Sequence, residues 1–218
     1  MSADTAQRMD RMYRHQRHFY DATRKFFLLG RDGLIERLSL LAGDHVVEIG
    51  CGTGRNLITL ARRYPGVQLY GVDASAVMLR TAEAHIRRAG LAGRIHLAQG
   101  LGEQLDAKAM FDRNRPFDAI VISYALTMIP AWPQVVEHAL TQVRPGGRLA
   151  VVDFWDQRGL PPWFRRLLQG WLALFDVRPR REMPDLFKRL AKERGGRRMF
   201  DSLFGGYAFR VIYQAPGV

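Results

Sequence analysis

Disulfide chemistry is closed to this chain. It holds a single cysteine, Cys51, so no internal bridge can form, and that usage suits a reducing compartment. Long apolar runs are missing too. The best candidate, from Ala119 to Ile129, falls short of the ~20 residues that span a bilayer and reads as a buried strand with its exit. The first thirty residues are charged throughout and lack the apolar stretch of a secretion signal, so a cytoplasmic location is expected. No repeat or low-complexity tract interrupts the 218 residues, a length that suits one domain with a sizeable core.

Acidic residues are scarce beside basic ones: 21 Asp and Glu face 33 Lys and Arg, for a formal net charge of +12. The excess is unevenly placed. Residues 32–155 hold thirteen basic against twelve acidic side chains, whereas residues 1–31 hold seven against three and residues 156–200 twelve against five. A near-neutral middle with two basic flanks implies an anionic partner, either lipid head groups or nucleic acid.

What the middle does contain is a glycine-rich turn after a buried strand. Val46-Val47-Glu48-Ile49 runs into Gly50-Cys51-Gly52-Thr53-Gly54, and nineteen residues after Gly54 a second strand closes on Asp73. Glycines let a backbone approach a ligand closely, and an acid at the second strand's end can take two ribose hydroxyls. Together they mark a nucleoside-containing cofactor. A dinucleotide fingerprint, G-x-G-x-x-G, would put its third glycine where Arg55 stands; here the pattern is E-x-G-x-G-x-G. A nicotinamide or other nucleotide site on the same fold is the alternative reading. Strand and helix alternate after this point: strands at 45–49, 68–72, 94–98, 117–122 and 148–153, helices at 54–64, 75–89 and 132–142. A short helix over 33–41 precedes them, and a hairpin, about 199–203 and 207–214, follows.

The motif, with Gln99-Gly100 after the third strand, Ser123-Tyr124 after the fourth and Arg144-Pro145-Gly146-Gly147-Arg148 before the fifth, resembles the class I S-adenosylmethionine-dependent methyltransferases over roughly residues 44–155. The resemblance implies an α/β, Rossmann-like fold with a seven-stranded, mostly parallel sheet, an antiparallel C-terminal strand and helices on both faces. It implies S-adenosyl-L-methionine as cofactor, with no metal. Gly50, Cys51, Gly52 and Gly54 would pass beside the cofactor's methionine part, which Glu48 and Arg31 also approach. Asp73 would take the ribose, Ala74 and Met78 one adenine face, and Gly100, Leu101 and Gly102 the other. Ser123 would border the cofactor. The family often has an acid after the third strand to meet the adenine amino group; Leu101 stands there instead, leaving that contact to backbone or to Gln99.

An amine acceptor gains positive charge as it is methylated, and aromatic faces stabilise such charge. Tyr13, Tyr20 and Tyr124 are the candidates for this catalytic role, each equally readable as packing. Ser123-Tyr124-Ala125-Leu126 is not the Asn-Pro-Pro-aromatic signature of enzymes that methylate exocyclic base amines, so no nucleic-acid substrate is expected. The segment from Tyr13 to Asp32 resembles the N-methyltransferases of betaine-lipid synthesis, which convert diacylglyceryl-homoserine to its N,N,N-trimethyl form by three successive transfers. That likeness implies a lipid amine as acceptor and the enzyme that makes the homoserine lipid as a further partner. Phosphatidylethanolamine or a quinone is the alternative acceptor, and a basic nucleic-acid-binding protein on the same fold the further one.

One domain is therefore expected. It has an N-terminal helical lid over residues 1–31, a cofactor-binding core over 32–155, a basic amphipathic insertion over 156–197 and a C-terminal hairpin over 198–218. In the insertion, Trp163, Phe164, Leu167, Leu168, Trp171, Leu172 and Phe175 share one helical face, with Arg165, Arg166 and Gln169 opposite and Pro161-Pro162 placed to start the helix. Such a helix either lies on an anionic bilayer, placing the protein peripherally on the membrane's inner face, or packs its apolar side over the sheet.

Overall fold

The computed structural model describes residues 28–174 and 177–217. The expected lid helices, with Tyr13 and Tyr20, lie outside the described residues, as does Phe175. The apolar stretches of the core form seven strands: β1 (His45–Ile49), β2 (Gln68–Asp73), β3 (Ile95–Gln99), β4 (Phe117–Ser123), β5 (Val143–Phe154), β6 (Arg197–Leu203) and β7 (Ala208–Gln214). They make one sheet in the order β3-β2-β1-β4-β5-β7-β6. Pairing is parallel from β3 through β5, and β7 runs antiparallel to both β5 and β6. The chain reverses direction in the order at β1 and β4, the place where an open parallel sheet leaves a crevice for ligands.

Helices cover both faces, as strands buried on both sides require. Along β4 and β5, alternate side chains serve opposite cores. Ala119, Val121, Ala150 and Val152 join one cluster, packed by α1 (Arg31–Glu36), α2 (Arg55–Arg63), α3 (Ala76–Arg88) and α6 (Pro162–Ala173). Ile120, Ile122, Leu149 and Val151 join the other, packed by α5 (Trp132–Thr141) and α7 (Met183–Arg194). The short α4 (Ala107–Phe111) also borders this second cluster. Side-chain caps fix two helix starts: Ser75 Oγ accepts the Met78 N–H at 3.3 Å for α3, and Asp106 Oδ1 accepts the Ala109 N–H at 2.7 Å for α4.

Two expected elements change length. The helix expected over 33–41 stops at Glu36, because Ser39 takes a left-handed φ of 48° and Leu41, at 71% exposure, turns outward while its N–H donates to the Asp44 carboxylate. The strand expected over 148–153 begins at Val143, since Val143 still pairs with Phe117 across a bulge that absorbs Pro145-Gly146-Gly147. The hairpin turn is Phe204-Gly205-Gly206, all three at positive φ, and its tip meets the loop after β5, where Gly159 N–H donates to the Gly205 carbonyl at 2.9 Å.

Helix α6 begins at Pro162 as expected, but its apolar residues divide. Leu168 and Leu172 are buried in the core cluster that also holds Tyr124, Phe154 and Tyr207, and Trp171 packs partly against that cluster. Trp163 and Leu167, both 66% exposed, and Phe164 lie outside.

Candidate active site

The C-terminal ends of the parallel strands bring the glycine loop, Asp73 and Ser123 to one edge of the sheet. After β1, Gly50, Gly52 and Gly54 take φ of 71°, 53° and 76°, a left-handed backbone that other residues adopt at a cost. A Cβ on Gly50 would stand 2.6 Å from that of Ala125, so this glycine lets the loop pass against the turn that follows β4. Cys51 is a buried free thiol within the loop.

Asp73 closes β2. Its Oδ2 accepts the Gly52 N–H at 2.8 Å and its Oδ1 the Ser75 N–H at 2.9 Å, so one carboxylate fixes both the glycine loop and the start of α3. Gly100 N–H donates to the Asp73 carbonyl at 3.1 Å, bringing the end of β3 to the same corner. There Gln99 is exposed and donates from Nε2 to the Ala74 carbonyl at 3.1 Å, Leu101 is half-buried, and Gly102 is buried against Ile49 and Val135. Met78 is 1% exposed, within the core on the α3 side.

Glu48, also 1% exposed, accepts a 2.7 Å bond from Asn56 Nδ2. Arg55 reaches Asn56 Oδ1 at 3.2 Å and grips Asp32 with two bonds of 2.6 and 3.1 Å. The hydrogen bonds from Arg55 hold the Asp32 carboxyl below its ordinary range. This run links α1 to β1 through α2. An open cleft of about 640 Å³ adjoins it, lined by Arg31, Glu48, Gly50, Cys51 and Ser123 and continuing along α2 past Arg55 and Arg62 to His85. Arg31 Nε donates to the Leu28 carbonyl at 3.0 Å.

Beyond β4, Tyr124 has φ 54° and is buried, and its hydroxyl donates to the Leu29 carbonyl at 2.5 Å. Its ring meets Phe154 edge-on at 4.6 Å, and Phe154 meets Tyr207 at 5.6 Å. Burial pushes both phenols above their ordinary range, so they stay protonated. The turn after β4 is held from below by Asp153 of β5. This fully buried acid accepts from Thr127 Oγ1 at 2.7 Å, Thr127 N–H at 3.2 Å and Phe154 N–H at 2.8 Å.

The structure brings Arg31, Glu48, Gly50, Cys51 and Ser123 to one cleft, with Asp73 bonded to the adjoining loop, and adds Asn56, Arg55, Asp153 and Tyr207, which sequence reasoning did not single out. Asn56 carried a signal, a polar residue one turn before Leu60 on the stripe of α2 that faces the core. Asp153 carried another, an acid at the end of a buried Leu-Ala-Val-Val run. Arg55 and Tyr207 had none, since their partners are distant in sequence.

Residues 46–147 match a family described as a methyltransferase domain. That match takes in the glycine loop, Asp73 and Ser123 and covers just under half of the chain. The chain is 30% identical over 145 residues to Methyltransferase GfsG of Streptomyces halstedii, covering 66% of this chain and 50% of that protein. It is 29% identical over 140 residues to a demethylmenaquinone methyltransferase of Lactobacillus johnsonii, covering 62% and 55%. The chain thus spans about half the length of the curated relatives it matches. Its fold superposes with a TM-score of 0.75 on the methyltransferase solved with the Haloferax volcanii Trm112 activator, at 14% identity over 96% of this chain and 98% of that one.

The residues present fit S-adenosyl-L-methionine. The glycine loop passes close to the turn after β4, an acid for the ribose diol is held at the end of β2, and Glu48 and Arg31 line the adjoining cleft.

Proposed function

We propose that this methyltransferase acts on the amine of a membrane lipid, with diacylglyceryl-homoserine, methylated three times to the betaine lipid, as the acceptor. The observation that carries the reading is the divided face of α6. Leu168 and Leu172 anchor the helix in the same core cluster as Tyr124, Phe154 and Tyr207, while Trp163 and Leu167 are two-thirds exposed and Phe164 about one-third, beside Arg165 and Arg166. Exposed aromatic and apolar groups interleaved with arginines suit the interface of an anionic bilayer. The likeness of the segment from Tyr13 to Asp32 to betaine-lipid N-methyltransferases supports the same acceptor. The reading places the protein peripherally on the inner face of a membrane, with the enzyme that makes the homoserine lipid as a neighbour.

The bound cofactor supplies an activated methyl group on a sulfonium. The chain's own task is therefore positioning, the main source of rate when the leaving group is already good. Asp73, Glu48 and the glycine loop hold the donor, and Arg31 supplies positive charge for a carboxylate of donor or acceptor. S-adenosyl-L-methionine held there would give its methyl to the amine's lone pair, its sulfur keeping the electrons of the broken S–C bond. The resulting ammonium sheds a proton to water before the next round. Tyr124, Phe154 and Tyr207 form a row of edge-to-face rings buried behind the turn that follows β4. With both phenols held protonated, neither is a base, and a neutral amine needs none.

The test is mass spectrometry of lipids after incubation with labelled methyl donor and extracted membranes. Label in a trimethylhomoserine head group is expected. Label in phosphatidylethanolamine products or in a quinone, the latter in keeping with the demethylmenaquinone relative, would replace the acceptor. Tight, salt-sensitive RNA binding with no lipid labelled would overturn the reading.

A further inference from the structure

Helix α6 packs on one face of the sheet and α7 on the other, so the chain between them must cross an edge. Two hydrogen bonds show which edge. Arg178 N–H donates to the Thr127 carbonyl at 3.2 Å, in the turn after β4, and Trp155 Nε1, directly after β5, donates to the Arg181 carbonyl at 3.3 Å. β4 and β5 are parallel, so both bonds lie at their carboxyl ends, where an open α/β sheet takes its ligands. Residues 177–182 therefore form a strap over that edge. Val177 and Met183, both buried, anchor its two ends, and the Trp155 ring meets Phe200 edge-on at 5.4 Å.

The strap is strongly basic. Val177-Arg178-Pro179-Arg180-Arg181-Glu182 carries three cations against one acid. Arg178 and Arg181 are exposed, and Arg180 is half-buried. Two acids at the same edge are engaged elsewhere: Asp153 accepts from Thr127 and Phe154, and Asp156 pairs with Arg158 at 3.3 Å. A single turn joins the strap to the cleft. Thr127 lies in the turn closed by Met128 N–H on the Ala125 carbonyl; Ala125 comes against Gly50, which lines the cleft with Arg31 and Glu48.

We propose that Arg178 and Arg181 clamp an anionic group of the acceptor, a carboxylate or a phosphate, and so present its amine at the carboxyl end of β4; the inference rests on the lipid-amine reading above. A guanidinium matches either oxyanion with paired N–H bonds. The homoserine lipid carries a carboxylate beside its amine and phosphatidylethanolamine a phosphate, whereas a quinone carries neither. The strap thus selects among acceptors and leaves Arg31, beside Glu48, to the donor.

The test uses the whole chain and short-chain acceptors in neutral micelles: diacylglyceryl-homoserine, its carboxamide and phosphatidylethanolamine. Both arginine side chains are exposed, so their replacement spares the backbone bonds to Thr127 and Trp155. For Arg178→Gln with Arg181→Gln, KM for the anionic acceptor should rise roughly tenfold with kcat nearly unchanged, the mark of lost binding. Arg178→Lys with Arg181→Lys should recover part of the loss. A rise with the homoserine lipid assigns the carboxylate, and the carboxamide should then show the raised KM already in the wild type, with nothing added by the variant. A rise with phosphatidylethanolamine alone assigns the phosphate. Equal loss with acid and carboxamide, unchanged KM for both anionic lipids, or lost calorimetric affinity for the demethylated cofactor product would overturn the clamp. No turnover of any acceptor by the wild type would remove the lipid-amine reading instead. Equilibrium binding to the same micelles then decides the clamp, which falls if the wild type and the Gln variant bind alike.

Discussion

Asp153 at the end of β5 and Thr127 in the turn after β4 are joined inside the core by two bonds, from Thr127 Oγ1 at 2.7 Å and from its N–H at 3.2 Å. The pair fixes the turn that carries Tyr124. Burial raises the Asp153 pKa, and the hydrogen bonds oppose it; burial prevails, leaving the carboxyl at about 6. Because this is above the unfolded value, the group's contribution to stability is fully present below about pH 4, and it is lost as pH rises through about 6. The difference in unfolding free energy between wild type and Asp153→Asn, followed by urea denaturation, should therefore shrink by on the order of 3 kcal/mol between about pH 4 and pH 7. A difference independent of pH would show that the carboxyl does not titrate in this window.

Asp73 serves the fold and the cofactor at once, since its two oxygens accept from the Gly52 and Ser75 backbones. Asp73→Ala leaves both N–H groups without their acceptor and removes the ribose's expected partner. Affinity for the demethylated cofactor product should weaken by ~1.5–3 kcal/mol, read by titration calorimetry. Unchanged affinity would refute the ribose assignment.

On α6, residues a few positions apart should behave oppositely. Leu168→Ala, at 4% exposure, opens a cavity under the helix and should cost about 2–4 kcal/mol in denaturant unfolding. Replacing Trp163, Phe164 and Leu167 together by Ser should cost less stability than that, because Trp163 and Leu167 are 66% exposed and Phe164 36%. The same triple variant should lose flotation with anionic vesicles and lose activity on vesicles more than on short-chain soluble acceptors. Equal losses on both would count against membrane docking.

Much of the core was legible in the chain because its signals are local. A strand buried on both faces reads as an unbroken apolar run, and glycines at 50, 52 and 54 mark a left-handed loop wherever the rest folds. The helix over 33–41 was misjudged because Leu38 and Leu41 continue an apolar pattern that the backbone at Ser39 does not follow. The split of the α6 face was likewise invisible: seven apolar side chains at helical spacing look alike until a sheet is present to bury some of them.

The sequence by itself determined the parallel core, its cofactor loop and the acid on β2, since these depend on residue type and spacing along a few turns of chain. Only the tertiary structure decided that Tyr124 meets Leu29 across 95 positions, that Arg55 grips Asp32 and that Asp153 holds Thr127. It alone buried the Ser123 hydroxyl with no hydrogen-bond partner among the described residues. The reason is physical. Hydrogen bonds between distant residues, and the cost of burying a polar group, arise only when strands far apart in sequence are brought side by side.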